Sequence, residues 1–262
     1  MIPKIIHYCW FGGNQLTDEV KKYITSWRRF CPDYKIIEWN ESNFDINENN
    51  YVREAYIAKK WAFVTDYVRL KVLYEYGGIY MDADVEVIKP LDDLLIYDAV
   101  SGYESKTSIQ TGTMAACRGN RWIKILLDDY NNRHFLKIDG TIDTTTNVQV
   151  ITRLTSSKYN LELDGTTQKF GGNMILLPFD YLCAKSYQTG KIMKTDNTYT
   201  IHHFKGSWLT NNDKKRVIEY RRWFNKLNKI LPFSIANVCS LVIAAYRVLG
   251  IKGMIMKIYK NI

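Results

Sequence analysis

The alternation of apolar and polar positions opens the chain with a strand, a helix and a second strand, and then sets a long apolar helix in front of an acidic pair. Ile5 to Trp10 reads as a buried strand, closed by Phe11-Gly12-Gly13-Asn14. Residues 17–30 carry helical spacing, and Tyr34 to Trp39 reads as a second strand. That order predicts an α/β fold with a Rossmann-like, largely parallel sheet. Residues 51–76 read as mostly helical with a break near Ala58-Lys59, and Gly77-Gly78 stops the helix as a glycine C-cap does. Ile79 to Met81 is then a strand, and Pro90 ends the extended stretch after it. Strands follow at Ala99 to Tyr103 and Thr113 to Cys117, a helix at 120–131, and a last strand at Thr198 to Phe204, while 139–180 is less regular.

The polar run Asn211-Asn212-Asp213-Lys214-Lys215 marks a change of character. Before it, 1–210 has the pattern of one α/β domain. After it, 211–262 reads as a basic helical extension. The formal net charge is +9, and it is unevenly placed: residues 205–262 hold 12 Lys and Arg against 2 Asp and Glu, so the remaining chain is close to neutral. Ser234 to Leu249 is apolar on nearly every side, interrupted by Arg247, and is short for a membrane span. Two readings stay open for this tail. It packs as a helical hairpin on the α/β domain, or it lies peripherally on an anionic membrane. Nucleic acid is not an expected partner, because no binding motif accompanies the charge. Five scattered cysteines without a CxxC pair, and an opening that runs straight into a strand, point to the cytoplasm, at or near the inner face of the membrane.

The candidate chemistry sits at Asp82 and Asp84. Residues two apart on an extended chain face the same side, so two carboxylates can converge on one Mn²⁺ or Mg²⁺, a hard cation that also takes phosphate oxygens. Such an ion would neutralise charge on a leaving diphosphate. In the preceding helix Asp66 and Arg69 share one face within an apolar run. Arg suits a phosphate through its fork of donors, and Asp suits a pair of ribose hydroxyls. An ordinary surface ion pair is the plainer account of the same spacing.

These residues carry a resemblance. Lys60-Trp61-Ala62-Phe63-Val64-Thr65-Asp66-Tyr67-Val68-Arg69-Leu70, followed by Leu73-Tyr74-Glu75-Tyr76-Gly77-Gly78-Ile79-Tyr80-Met81-Asp82-Ala83-Asp84, resembles the DXD region of glycosyltransferase family 32. That family includes bacterial capsule and O-antigen sugar transferases and the yeast initiating α-1,6-mannosyltransferase. The same arrangement is similar to the glucosyltransferase domain of the large clostridial toxins. Ile2 to Trp10 and Ile201 to Trp208 fit as well, so the likeness spans about 1–210.

The resemblance implies a GT-A type fold and a metal-dependent, retaining hexosyltransferase. The donor would be a UDP- or GDP-sugar, and the acceptor a glycan, including one carried on a lipid diphosphate, as in surface polysaccharide synthesis. It implies that Trp10 stacks on the base, Asp66 contacts ribose or sugar, Arg69 contacts sugar or phosphate, and Tyr80 contacts the nucleotide. Asp82 would bind ribose and, through water, the metal; Asp84 would bind the metal directly. His202 and His203 point to opposite sides of a strand, so only one can face the site. The family's spacing, five residues before Trp208, selects His203 as metal ligand or phosphate contact. Trp208 and Ser207 would lie at the diphosphate, and Asn147 beside the donor sugar, with a helix cap as the rival account of Asn147. Asp92 and Asp93 read as a helix cap, and Trp39 and Trp61 as core.

Two other functions fit parts of the pattern. Asp82-Ala83-Asp84-Val85 also matches the loose start of phosphatases with an aspartate nucleophile, though the helix bearing Asp66 and Arg69 is foreign to them. A non-catalytic sugar- or membrane-binding protein is the third.

Overall fold

The computed structural model describes residues 1–206 and 209–259, the last eight of these by their backbone alone. The chain divides into two compact units, Met1–Lys185 with Met193–His203, and Ser186–Ile192 with Phe204–Ile262. The boundary expected at 210/211 falls inside the second.

The first unit is built on a mixed sheet. Its strands are β1 (Ile5–Cys9), β2 (Lys35–Trp39), β3 (Gly78–Met81), β5 (Ala99–Ser105), β6 (Ser108–Ile109), β7 (Thr113–Ala116), β8 (Gln168–Phe170) and β9 (Met174–Leu177). They run in the order β2-β1-β3-β7-β5-β9-β8, with β6 on β5. A separate antiparallel pair joins β4 (Val85–Val87) to β10 (Thr200–His202). The expected largely parallel sheet needs correcting. β1 is parallel to β2 and β3, and β5 to β9, but β3–β7, β5–β7, β5–β6 and β8–β9 are antiparallel. A parallel pair needs a long crossover, usually a helix. Between β5 and β7 the chain has only the short β6 turn.

Successive strand residues feed opposite faces. Ile6, Tyr8, Ile79, Met81, Val100 and Ala115 pack with Val20, Ile24 and Trp27 of α1 (Asp18–Phe30). Cys9, Tyr80, Ala99, Met114 and Ala116 pack on the other side, beneath α2 (Asn50–Ile57), α3 (Trp61–Tyr76), α4 (Arg121–Asp128) and α5 (Asn147–Tyr159). The stretch read as irregular at 139–180 contains α5, β8 and β9. Helix α5 is nucleated by a capping box in which Thr146 and Gln149 exchange bonds. Asp92 and Asp93 lie in a 3₁₀ turn. Trp39 is buried, and the half-buried Trp61 packs against the same core.

The α3–β3 junction depends on two glycines. Gly77 and Gly78 have φ of 66° and 110°. A Cβ at Gly77 would lie 2.6 Å from the Arg118 nitrogen, and one at Gly78 2.6 Å from the Ile5 oxygen. Only glycine takes these angles at such close approach, so the turn feeds β3 straight into the middle of the sheet.

The second unit holds α7 (Asn211–Leu227) and α8 (Phe233–Tyr259), the latter kinked at Gly250. Its core is formed by Tyr220, Phe224, Ala236 and Ala244. The remaining short helix, α6 (Phe179–Leu182), belongs to the first unit.

Candidate active site

β3 ends at Met81, and the next residues turn rather than extend. The Asp82 amide donates to Gly112 O (2.8 Å), and the Val85 amide donates back to Asp82 O (2.9 Å). The chain then enters β4, whose Val85 carbonyl accepts from the Trp27 indole at 2.7 Å. β10 pairs with β4 so that His202 lies opposite Val85, and the His203 amide donates to Asp84 O. Strand pairing thus brings a residue 118 positions further along the chain to Asp84.

It is His202 whose ring reaches the acidic pair. Its Nε2 is 3.2 Å from Asp84 Oδ1 and 3.7 Å from Asp82 Oδ2. One ligand atom from each of the three side chains can be chosen so that all lie within 4.8 Å of one another. His203, selected by the spacing argument, turns the other way: its Nε2 meets Glu86 at 2.8 Å and its ring stacks on Tyr23 at 4.7 Å. The correction follows from strand geometry, because His202 and the residue just after β10 point to opposite sides and the register with β4 decides which faces the acids. Gly112 makes room for the imidazole: a Cβ there would stand 2.7 Å from His202 Nδ1. Burial alone would lower the pKa of His202, but Asp84, Cys183 and Asp82 hold it well above the ordinary histidine value. His203 moves the other way, lowered by its own burial despite Glu86.

Arg69 is nearly fully buried and spends its donors inside the protein. Nε donates to Thr65 O at 3.2 Å. Nη1 donates to Thr111 O at 2.7 Å and lies 3.2 Å from Asp82 Oδ1. Nη2 reaches Asp66 Oδ1 at 3.1 Å and the Thr65 hydroxyl at 3.4 Å. Four hydrogen bonds and the ion pair with Asp82 engage this guanidinium inside the protein, which turns it toward Asp82 and the Thr65 and Thr111 carbonyls rather than toward a phosphate. Its charge also lies over the Tyr80 ring, 4.7 Å from the centroid. Tyr80 is buried, and its hydroxyl donates to Asp82 Oδ1 at 3.0 Å. Arg69, expected at the sugar or phosphate, and Tyr80, expected at the nucleotide, therefore both lie against one oxygen of Asp82. Its other oxygen is the one nearest His202.

Asp66 completes this cluster. Burial pushes its carboxyl up to about 6, against the pull of Arg69 and with a further push from Asp82. Asn147, the first residue of α5, is buried, and neither end of its amide makes a well-formed hydrogen bond, although it lies close enough to Asp66 to lower that carboxyl's pKa. The cap of α5 is Thr146, so capping does not account for Asn147. Trp10 follows β1, and the register Ile6–Ile79 and His7–Tyr80 brings the ends of β1 and β3 to one edge of the sheet. The Trp10 indole donates to Asn14 O at 2.7 Å. Ser207 and Trp208 lie outside the described residues.

Three contributors escaped the sequence reading: Thr65, Gly112 and Glu104. Glu104 sits where the pairing of β5 with β6 shifts register, an irregularity that re-aims a side chain. Burial raises its carboxyl pKa; the charge on His202 lowers it and that on Asp82 raises it. A lone acid directly after the run Ala99-Val100-Ser101-Gly102-Tyr103 was the only available signal.

Comparison with known proteins bears on the acidic segment first. Residues 17–101 match the family described as the glycosyltransferase sugar-binding region containing DXD motif, the kind of family that the resemblance implied. The chain is similar to inositol phosphoceramide mannosyltransferase 3 of Schizosaccharomyces pombe, with 30% identity over 130 residues, 47% of this chain and 35% of that protein. Similarity to inositol phosphoceramide mannosyltransferase 2 of the same yeast is lower, 25%, but extends over 94% of this chain and 67% of that one. Over its first two curated matches the chain spans about a third of their length (35% and 31%). Among solved structures, the PaToxG glycosyltransferase aligns with a TM-score of 0.44 and 20% identity, over 60% of this chain and 70% of that one.

Proposed function

We propose, on the premise that residues 17–101 belong to the DXD-containing glycosyltransferase family, that this chain is a metal-dependent, retaining hexosyltransferase of GT-A type that uses a nucleotide-diphosphate sugar. The observation that carries the reading is the convergence of Asp82, Asp84 and His202. Bonds of about 2.1 Å at right angles put neighbouring ligand atoms about 3 Å apart. The 3.2 and 3.7 Å separations from His202 Nε2 are close to that geometry. The two carboxylates suit Mn²⁺ or Mg²⁺, and the imidazole nitrogen favours Mn²⁺ of the two. When bound, the ion supplies positive charge for the two donor phosphates.

The surrounding residues have assignable tasks. Arg69 and Tyr80 fix Asp82 so that one oxygen stays turned to the cation. Asn147 offers an amide whose burial costs about 1–3 kcal/mol unless a partner such as a sugar hydroxyl arrives. Asp66 lies beside it for ribose or sugar, and Trp10 offers an aromatic face to the base. The acceptor hydroxyl attacks the anomeric carbon from the face the diphosphate leaves, passing its proton to the departing phosphate oxygen. Because the curated relatives are named mannosyltransferases, GDP-mannose is the first donor to test, followed by UDP-hexoses. The acceptor in this reading is a glycan of bacterial surface polysaccharide, presented at the inner face of the membrane on a lipid diphosphate.

The test is release of nucleoside diphosphate from a panel of GDP- and UDP-sugars with Mn²⁺. One donor should be turned over, and chelation or Asp84→Asn should abolish turnover. Unchanged turnover in Asp84→Asn would overturn the metal assignment, and turnover of no donor would overturn the reading.

A further inference from the structure

The second unit packs its main helix in an unusual sense. An amphipathic helix in water turns its large apolar residues inward. Helix α8 turns small ones inward: Ala236, Ser240 and Ala244, four apart, are buried and belong to the face that meets α7. Ile235, Val238, Leu241, Val242 and Tyr246 face outward, each between 43% and 58% exposed. At the tip of the hairpin exposed Ile230 and Phe233 stand beside exposed Lys229. A contiguous apolar face of this kind marks an interaction surface. Its surroundings are basic, with exposed Lys214, Lys215, Arg222 and Lys226 on α7.

We propose that α7 and α8 form an in-plane membrane anchor, with the outer face of α8 sunk to the acyl boundary of an anionic leaflet and the lysines and arginines at headgroup level. This deepens the functional reading by saying how the enzyme reaches a lipid-linked acceptor. The argument against a span is geometric. Phe233–Ile251 is long and apolar enough to cross a bilayer. Yet α7 is fastened along it: the Tyr220 hydroxyl donates to Asn237 at 2.7 Å, Arg247 Nε is 3.2 Å from Glu219, and the Phe224 and Phe233 rings are 5.4 Å apart. A crossing α8 would carry the cations of α7 into hydrocarbon or tear the hairpin apart. Lying in the plane keeps the hairpin intact, and each cation gains from the anionic surface.

The test uses the full chain and vesicles of phosphatidylcholine, with or without phosphatidylglycerol, read by co-flotation. The protein should float with the anionic vesicles, weakly with the neutral ones, and less as salt rises. Leu241→Asp with Val242→Asp should weaken partitioning by about tenfold or more, and Lys226→Glu with Lys229→Glu should remove the preference for phosphatidylglycerol. Circular dichroism and metal-dependent donor hydrolysis, both expected to persist in these variants, report folding and catalysis separately from binding. Equal flotation of the Leu241/Val242 variant and the parent, or no flotation of the parent, overturns the proposal. So does protection of 233–251 from protease through alkaline carbonate washing, the mark of a span. A lipid-free dimer that the same substitutions dissociate would show that a second copy covers the face, and overturns it too.

Discussion

Replacing His202 and His203 one at a time separates two readings of the metal centre that differ by a single position. The geometry says how large the difference should be. A unit positive charge at His202 Nε2 lies 3.2 and 3.7 Å from the two aspartates. At an effective dielectric of about 20 these distances correspond to gross attractions of about 5 and about 4.5 kcal/mol, before any desolvation cost. A metal ion binding there would displace the imidazole proton and take up the same two carboxylate attractions. The three side chains are 12% to 23% exposed, so water screens the attraction only in part. Removing groups one step behind a metal ligand already weakens binding by about 10- to 100-fold, so loss of the imidazole should weaken Mn²⁺ by about 100-fold or more, about 2.7 kcal/mol. His203 turns its Nε2 to Glu86 and stacks on Tyr23, so His203→Gln should stay within about twofold. The assay is titration of each variant with Mn²⁺, following the paramagnetic resonance signal of the free aqua ion. A large loss in His203→Gln with an unchanged His202→Gln would refute the assignment, and equal small losses would remove both histidines from the centre.

Substitutions at two further positions test the scaffold. Arg69→Met leaves Asp66 buried beside Asp82 without a cation, and loss of one partner from such a network costs about 3–5 kcal/mol; urea unfolding should show it, and Arg69→Lys should recover little, because one ammonium cannot reach Thr65, Thr111, Asp66 and Asp82 together. A loss under about 1 kcal/mol in Arg69→Met would contradict the packing described. His7 is a stability switch of the acid side: its Nδ1 accepts from the Trp39 indole, its Nε2 donates to Gly77 O, and burial lowers its pKa to about 4 from 6.5. A lowered folded-state pKa means stability that is complete above 6.5 and is lost as pH falls toward 4, about 3 kcal/mol in all. His7→Gln should flatten that part of the pH–stability curve; an unchanged slope would show that other groups carry it.

The parts of the site that follow local rules were legible. The acidic pair at the end of an apolar strand, the Gly77-Gly78 stop and the shared face of Asp66 and Arg69 depend on residues within about two turns of each other, and periodicity reports such relations directly. The sheet was legible only in its first half. There a helix links each strand to the next, and the crossover rule applies; beyond β3 the short β6 turn makes the neighbours antiparallel, which composition does not display.

What the sequence could not supply is register between distant segments, and the histidines show why. His202 and His203 have the same side chain, and both face partners able to take a proton. Which one meets Asp84 is decided by the pairing of β10 with β4, where His202 lies opposite Val85 and the His203 amide bonds to Asp84 O. A shift of one residue would exchange them, because the side-chain period of a strand is two. The register is held from outside the pair: the Trp27 indole bonds Val85 O, the Ser26 hydroxyl accepts from the Val87 amide, and Thr200 donates to Leu182 O. Gly112 adds a steric condition, since the ring beside it tolerates no Cβ. The same logic gives Arg69 a different meaning from the one its chemistry suggested. A guanidinium beside an acidic pair reads as a phosphate clamp. Burial beside Thr65 and Thr111 engages it inside the protein and leaves it to aim Asp82. Residue type identified the chemistry available, and packing determined which partner each group could still serve.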